Sequence, residues 1–346
     1  MPELTVLIVS DGIAGHVRLA EGICVALGRF LKVDVRIIEA RRVRRWLPRR
    51  GLAALLRLGC FRAVLRAAYS LQLRWIPRSG VIISAGGDTL EANVAIAKAL
   101  SVPNVFYGTV RRVDPSDLAL VLTSYEANTT LNNHSFSIKP SAFDPRAIPL
   151  KPAKTFSLAD PPRTLGVLIG GDDDSLFRYT DADWGRLFAF VGELTSRHGI
   201  SCQISTSRRT PARVAEAARR SLESDPHSRN RFIDFGAGAG DTIEGLLADA
   251  DAVLCTADSS NMLSEAICAR RPVVALTPET FAYKPAEEAY RNYLAESGWC
   301  RQLALRDLDM RAFIRSLGEI VPRRDCVHDD LAELLRVRLG LDRSEL

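Results

Sequence analysis

One pattern recurs on both sides of a break in composition and limits what this chain can fold into: a short, continuous apolar run, a glycine-bearing turn, then a helical pattern. Leu4–Ser10 (LTVLIVS) runs into Asp11-Gly12-Ile13-Ala14-Gly15-His16 and a helical stretch over Val17–Phe30. Val33–Ile38, Gly80–Ser84, Asn104–Tyr107 and Leu118–Thr123 read as further strands. Of these, Gly80–Ser84 enters Gly86-Gly87 and a helix over Thr89–Leu100. Runs that are apolar throughout, rather than alternating, suit parallel strands covered on both faces.

Residues 128–162 lose this periodicity and gather Asn, Ser and Pro, which places a domain junction there. The alternation then restarts with Thr164–Ile169 entering Gly170-Gly171. Helices are predicted over Trp184–His198, Arg213–Ser221, Thr242–Ala248 and Ser260–Ala269. Strands are predicted at Ser201–Thr206, Arg231–Asp234, Ala252–Thr256 and Pro272–Leu276. Two such blocks predict an α/β protein of two Rossmann-like domains, residues 1–155 and 160–325. Residues 326–346, with a helical pattern over Asp329–Leu339, form a C-terminal helix that can pack back on the first domain. A chain of 346 residues is long enough for both cores.

No apolar run approaches the roughly 18 to 20 residues of a membrane-spanning helix, and the first residues lack a secretory pattern. The seven cysteines are scattered, without a CxxC pair, so reduced core thiols in the cytoplasm are expected rather than disulfides or zinc. The net charge of +5 is unevenly spread. Residues 40–87 hold eleven arginines and no acid, so the rest of the chain is acidic. Arg41, Arg42, Arg44, Arg45, Arg49 and Arg50 surround Trp46, and Leu55, Leu56, Phe61, Leu65, Tyr69 and Trp75 follow. Its aliphatic content favours anionic lipid headgroups over nucleic acid as the partner. The arginines do not gather on one helical face, and Gly51 and Gly59 can break the segment; a solvated basic face is the alternative.

Ligands of open α/β sheets bind at the carboxyl ends of strands, where the glycine turns fall. In the first turn, Gly12 and Gly15 permit close approach, and His16 is a candidate proton acceptor, with a capping or core histidine as the alternative. In Ala252–Leu276, Asp258, Ser259 and Ser260 can each cap the helix that follows, making a seat for a diphosphate. Glu265 further along can accept hydrogen bonds from a ribose, or else be a solvated helix residue. Ser207-Arg208-Arg209-Thr210-Pro211 ends another strand, and paired guanidinium groups suit phosphate, though a solvated pair fits as well. Asp172-Asp173-Asp174 contains Asp-x-Asp, which suits a hard cation or merely caps a turn. Gly236-Ala237-Gly238-Ala239-Gly240 misses the third position of the dinucleotide fingerprint, so a nicotinamide cofactor is weakly supported.

Ser10–His16, LIGGD at Leu168–Asp172, SRRTP at Ser207–Pro211 and TADS with Met262 and SEA in Cys255–Pro278 together resemble the mitochondrial-fission-factor-like (elongated-mitochondria) family. The same positions are similar to the transferase that adds N-acetylglucosamine to the lipid-linked peptidoglycan precursor. The Asp triplet after Gly170-Gly171 departs from the first family. The resemblance implies a GT-B fold, two Rossmann-like domains facing across a cleft, and sugar transfer from an NDP-sugar without a metal cofactor. It further implies that Gly15-His16 belongs to an acceptor loop with His16 as the base; Asp88 beside Gly86-Gly87 is the other candidate base in the sequence. Gly170, Gly171, Ser207, Arg208, Arg209, Gly236, Asp258, Ser259, Ser260, Met262 and Glu265 are the expected donor site. The basic segment points to an envelope glycolipid acceptor, of lipid A or lipopolysaccharide core type, and a peripheral place on the inner membrane. The alternatives are an NDP-sugar 2-epimerase and a non-catalytic membrane adaptor.

Overall fold

A computed structural model describes residues 2–44, 46–152, 154–172, 176–222, 229–235 and 243–341. The chain divides into two compact units, residues 1–144 with 326–346, and residues 145–325.

In the first unit the elements run β1 (Glu3–Ser10), α1 (Ala14–Leu27), β2 (Lys32–Glu39), α2 (Arg49–Arg57), α3 (Phe61–Tyr69), β3 (Val81–Ala85), α4 (Leu90–Leu100), β4 (Asn104–Tyr107), β5 (Leu120–Thr123) and β6 (His134–Phe136). The strands form one parallel sheet in the order β2-β1-β3-β4-β5-β6. Successive side chains of a strand point to opposite faces, so one apolar run feeds two cores. Leu4, Val6 and Ile8 of β1 join α1 on one face, while Leu7 and Val9 join α2, α3 and α4 on the other.

The second unit runs β7 (Thr164–Leu168), β8 (Phe177–Arg178), α5 (Asp181–His198), β9 (Ser201–Ser205), α6 (Ala212–Ser221), β10 (Arg231–Ile233), α7 (Ile243–Asp249), β11 (Ala252–Thr256), α8 (Ser260–Cys268), β12 (Val273–Thr277), β13 (Thr280–Phe281), α9 (Pro285–Glu296), β14 (Cys300–Ala304) and α10 (Met310–Gly318). Its main sheet is parallel, in the order β10-β9-β7-β11-β12-β14, and β8 pairs antiparallel with β13. The final helix, α11 (Val327–Arg338), belongs to the first unit, where Leu331 and Leu335 pack with Leu19, Ile23 and Leu27. His328 Nε2 donates to the Ser141 carbonyl at 2.8 Å, and Arg29 holds Asp144 and Asp329.

Three details differ from the sequence reading. The chain passes between units at Asp144/Pro145 rather than near residue 155. Arg270 and Arg271 account for this, donating to the carbonyls of Pro145, Ile148 and Pro149 and so fixing that stretch to the second unit. The stretch read as an aperiodic junction also contains β6, a three-residue edge strand on β5. The arginine block folds as α2 and α3 with a break at Gly59 (φ +71°), whereas Gly51 lies inside α2. Leu52, Ala53, Leu56, Val64, Leu65, Ala68 and Tyr69 turn inward. No helix of the described residues is long and apolar enough to cross a membrane.

Candidate functional site

In each unit the strand order reverses at one place, between β1 and β3 and between β7 and β11. Such reversals leave a crevice at the strands' carboxyl ends. The quoted motifs fall at those two places.

In the second unit, β7 runs on into Gly170 and Gly171. The Gly170 N–H donates to Thr256 Oγ1 at 2.7 Å, and the Gly171 N–H donates to Asp258 Oδ2 at 3.1 Å. A Cβ on Gly170 would overlap the Asp258 carboxylate, and one on Gly171 would overlap the Arg209 carbonyl, so close approach dictates both glycines. The Thr210 hydroxyl lies 3.0 Å from the Ile169 carbonyl and 2.5 Å from that of Gly170, and it accepts from the Ser207 N–H at 2.8 Å. LIGGD, SRRTP and TADS are thus one laced cluster.

Asp258 is its centre. Besides Gly171 it accepts from the Arg209 guanidinium at 2.5 Å and the Tyr179 hydroxyl at 3.2 Å. Burial raises its carboxyl above the usual range, with Arg209 opposing, and burial beside that carboxylate pushes the Tyr179 hydroxyl well above its ordinary value. Ser259 is therefore the residue that caps α8, accepting from the Met262 N–H at 3.4 Å, while Asp258 turns back toward the glycines. Ser260 and Met262 are half-buried on the first turn of α8. Ser264 bonds the Ser260 carbonyl and Tyr290, both at 2.7 Å. Glu265 is buried, at 6 % exposure, which removes its reading as a solvated helix residue. The arginine pair splits. Arg209 is tied to Asp258, whereas Arg208 is exposed and makes no ion pair with a described residue. Only Arg208 has its charge uncommitted, which corrects the expectation that both arginines meet phosphate.

Asp172 closes its own loop by accepting from the Tyr179 N–H at 3.0 Å. Asp173, Asp174 and Gly236 lie outside the described residues. Among the described residues no cluster of three His, Cys, Asp or Glu side chains has metal-ligand geometry.

In the first unit, Ser10 and Asp11 shape the turn after β1 by accepting from the N–H groups of Gly12 and Ile13. Asp11 Oδ2 lies 2.8 Å from His16 Nδ1; a carboxylate only accepts, so Nδ1 carries the proton and Nε2 is left as an acceptor. Gly15 lies in the first turn of α1, next to that histidine. Gly86, at φ +85°, abuts the His16 ring, where any Cβ would overlap it. Gly87 contributes a carbonyl that accepts from Arg49 at 2.7 Å.

Asp88 does not match its expected role as a base. Arg49 binds it at 2.5 Å and also binds the fully buried Glu91 at 2.8 Å, with Tyr69 completing the group. The same ion pairs withdraw Arg49 from the proposed membrane set: it sits inward because a buried carboxylate forty-two residues away requires it. Arg41, Arg44, Arg50 and Trp46 are exposed, Arg42 is half-buried against the Leu47 carbonyl, and Arg45 lies outside the described residues. The sequence pointed to Asp11 only as a turn residue and to Thr256 only as the start of TADS, and it gave no signal for Tyr179 or Glu91.

A family model described as Mitochondrial fission ELM1 matches residues 14–319. No curated protein matches the chain significantly. Among solved structures the chain is similar to MurG of Acinetobacter baumannii, at 11 % identity and TM-score 0.50, covering 96 % of this chain and 99 % of that one. It is similar to S. aureus MnaA, a co-structure with UDP, at 12 % identity and TM-score 0.53 over 99 % and 97 % of the two chains. It is likewise similar to UDP-GlcNAc 2-epimerase from Methanocaldococcus jannaschii, at 12 % identity and TM-score 0.55 over 97 % and 99 %. Identity this low establishes the fold: two parallel six-stranded sheets in the manner of GT-B glycosyltransferases and epimerases.

Proposed function

We propose that this chain, which belongs to the Mitochondrial fission ELM1 family, is a metal-independent glycosyltransferase acting from an NDP-sugar. The observation that carries the reading is the Ser259-capped start of α8 at the β7/β11 reversal, beside Gly170-Gly171 and the uncommitted Arg208. Free N–H groups at a helix N-terminus favour an anion, and a guanidinium binds phosphate bidentately. Charge grows on the leaving diphosphate in the transition state, so fixed donors there lower the barrier. Ser207, Ser260 and Met262 line the diphosphate seat, and Glu265 receives the ribose hydroxyls. Arg209 acts indirectly, by holding Asp258 against the glycines.

In the first unit His16 is the base, oriented by Asp11, and takes the proton of an acceptor hydroxyl at Nε2. The acceptor reading is an envelope glycolipid of lipid A or lipopolysaccharide core type, met at the cytoplasmic face of the inner membrane. Arg41, Arg44 and Arg50 around the exposed Trp46 support it. Liposome flotation with and without anionic lipid tests that part, and indifference to lipid charge refutes it.

A second reading, NDP-sugar 2-epimerisation, shares the fold and needs no acceptor; similarity to the M. jannaschii UDP-GlcNAc 2-epimerase structure favours it. The deciding measurement is calorimetry of the protein with UDP, GDP, CMP and dTDP and their sugars, with and without Mg²⁺. Binding of one nucleotide without metal, weakened in Glu265→Ala, supports the donor site. Epimer formation without acceptor selects the second reading. No binding of any nucleotide refutes both and leaves a non-catalytic adaptor.

A further inference from the structure

A cavity of about 560 Å³ opens in the second unit, at the amino ends of its strands. Arg163, Asp251 and Pro272, which line it, immediately precede β7, β11 and β12. The donor site lies at the opposite ends of β7 and β11, each five residues long, or about 16 Å away at the usual strand rise. The cavity is therefore a separate place.

Its lining is two-sided. Lys151, Lys154, Arg163, Arg270, Arg323 and Arg324 line the cavity, and Asp251 is the single carboxylate among the described lining residues. Asp251 is already occupied: it accepts from the backbone N–H groups of Arg163 and Thr164 and pairs with Lys151. Lys154 pairs with Asp160. Arg163 and Arg324 are exposed and make no ion pair with a described residue, and Arg270 donates only to carbonyls, leaving its Nε buried without a partner. Like charges gathered around one already-paired carboxylate repel until an anion arrives.

The other side is apolar. Leu150 and Val321, 62 % and 71 % exposed, stand in the same wall with Phe156 and Ile320. Large apolar side chains left open beside unpaired guanidinium groups match a ligand with a charged head and an apolar body.

We infer that this cavity binds a phosphate ester carrying an apolar chain, with Arg163, Arg270 and Arg324 on the phosphate and Leu150, Phe156 and Val321 on the chain. The inference rests on the cavity alone and stands or falls separately from the donor reading. Guanidinium-to-phosphate hydrogen bonds are among the stronger ones available to a surface site.

The test is calorimetry of the full chain with dihexanoyl phosphatidic acid, kept below its micelle concentration, and with inorganic phosphate. The expected result is one-to-one binding, at least about tenfold tighter for the lipid than for phosphate, unaffected by saturating UDP. Arg163→Gln with Arg324→Gln should weaken the lipid at least about tenfold while the melting temperature stays put, because both side chains are exposed. Wild-type affinity in that variant, equal affinity for inorganic phosphate, displacement by UDP, or no binding at millimolar ligand each overturns the inference. Sedimentation with phosphatidylcholine vesicles, with and without phosphatidic acid, then separates the sources. Arginine-dependent vesicle binding assigns a bilayer lipid, and binding of the soluble ester alone assigns a free metabolite.

Discussion

Replacing Asp258 with alanine removes the acceptor for four donors at once: the Gly171 N–H, the Tyr179 and Thr256 hydroxyls and the Arg209 guanidinium. Their fates differ. The Gly171 N–H is buried and loses its partner, at about 1–3 kcal/mol. Tyr179 keeps the Leu276 carbonyl at 3.3 Å, so its loss is smaller, about 1 kcal/mol, and the Thr256 hydroxyl loses about as much. The Arg209 side chain is 34 % exposed and can turn to water, so its share is discounted. Relief from burying a carboxylate offsets part of the total, leaving a net loss of about 3 kcal/mol. In a unit of this size that lowers the melting temperature by about 6–12 °C.

Trp184 and Trp299 belong to the second unit, while Trp46 and Trp75 belong to the first and are exposed. Tryptophan fluorescence in a Trp46→Phe, Trp75→Phe background therefore follows the second unit alone. Asp258→Asn, which keeps one acceptor oxygen, should recover part of the loss. A drop below about 2 °C for Asp258→Ala would show that the carboxylate is not what fastens the three motifs together.

Arg49→Met should destabilise the first unit by about 3–4 kcal/mol in urea unfolding, because Glu91 stays fully buried without its counter-ion. Near-neutral behaviour would refute the ion pair as what holds Glu91 in the core. Asp11→Asn should lower turnover roughly 10²–10⁴-fold, with nucleotide affinity unchanged, by freeing the His16 tautomer; normal turnover would remove the pair from the mechanism. Burial depresses His328 from 6.5 to about 4, so folding favours its neutral form. The stability it provides is present above pH 6.5 and is lost as pH falls from 6.5 toward 4. Between pH 7 and pH 5 the wild type should lose about 2 kcal/mol more than His328→Gln, and parallel curves for the two would refute this.

The two parallel sheets were legible because β1, β3, β7, β11 and β12 are buried almost throughout and so carry unbroken apolar runs. The glycine turns marked both strand-order reversals for the same physical reason: backbone must approach backbone or a side chain there. The family resemblance was legible as well: the matched residues 14–319 take in SRRTP and TADS, and the end of the first motif from Ala14. What escaped the sequence depends on distant partners. Arg49 reads as one more surface arginine until Glu91 is brought beside it. Asp258 reads as a cap until Gly171 and Arg209 claim its carboxylate. β6 has only three half-buried residues, too few to show a period, and is recognised only by its pairing with β5.

The return of α11 to the first unit has a consequence for synthesis. Leu331 and Leu335 complete the wall that covers Leu19, Ile23 and Leu27, yet about 180 residues of the other unit are translated before them. At ribosomal speeds of about 5–20 residues per second, that is an interval of roughly 10–40 s. Throughout it, the nascent first unit holds an apolar helix face with no lid, while the second unit can fold to completion. The unit begun first is thus finished last. A stalled or truncated chain would display that uncovered face to whatever binds nascent hydrophobic surface.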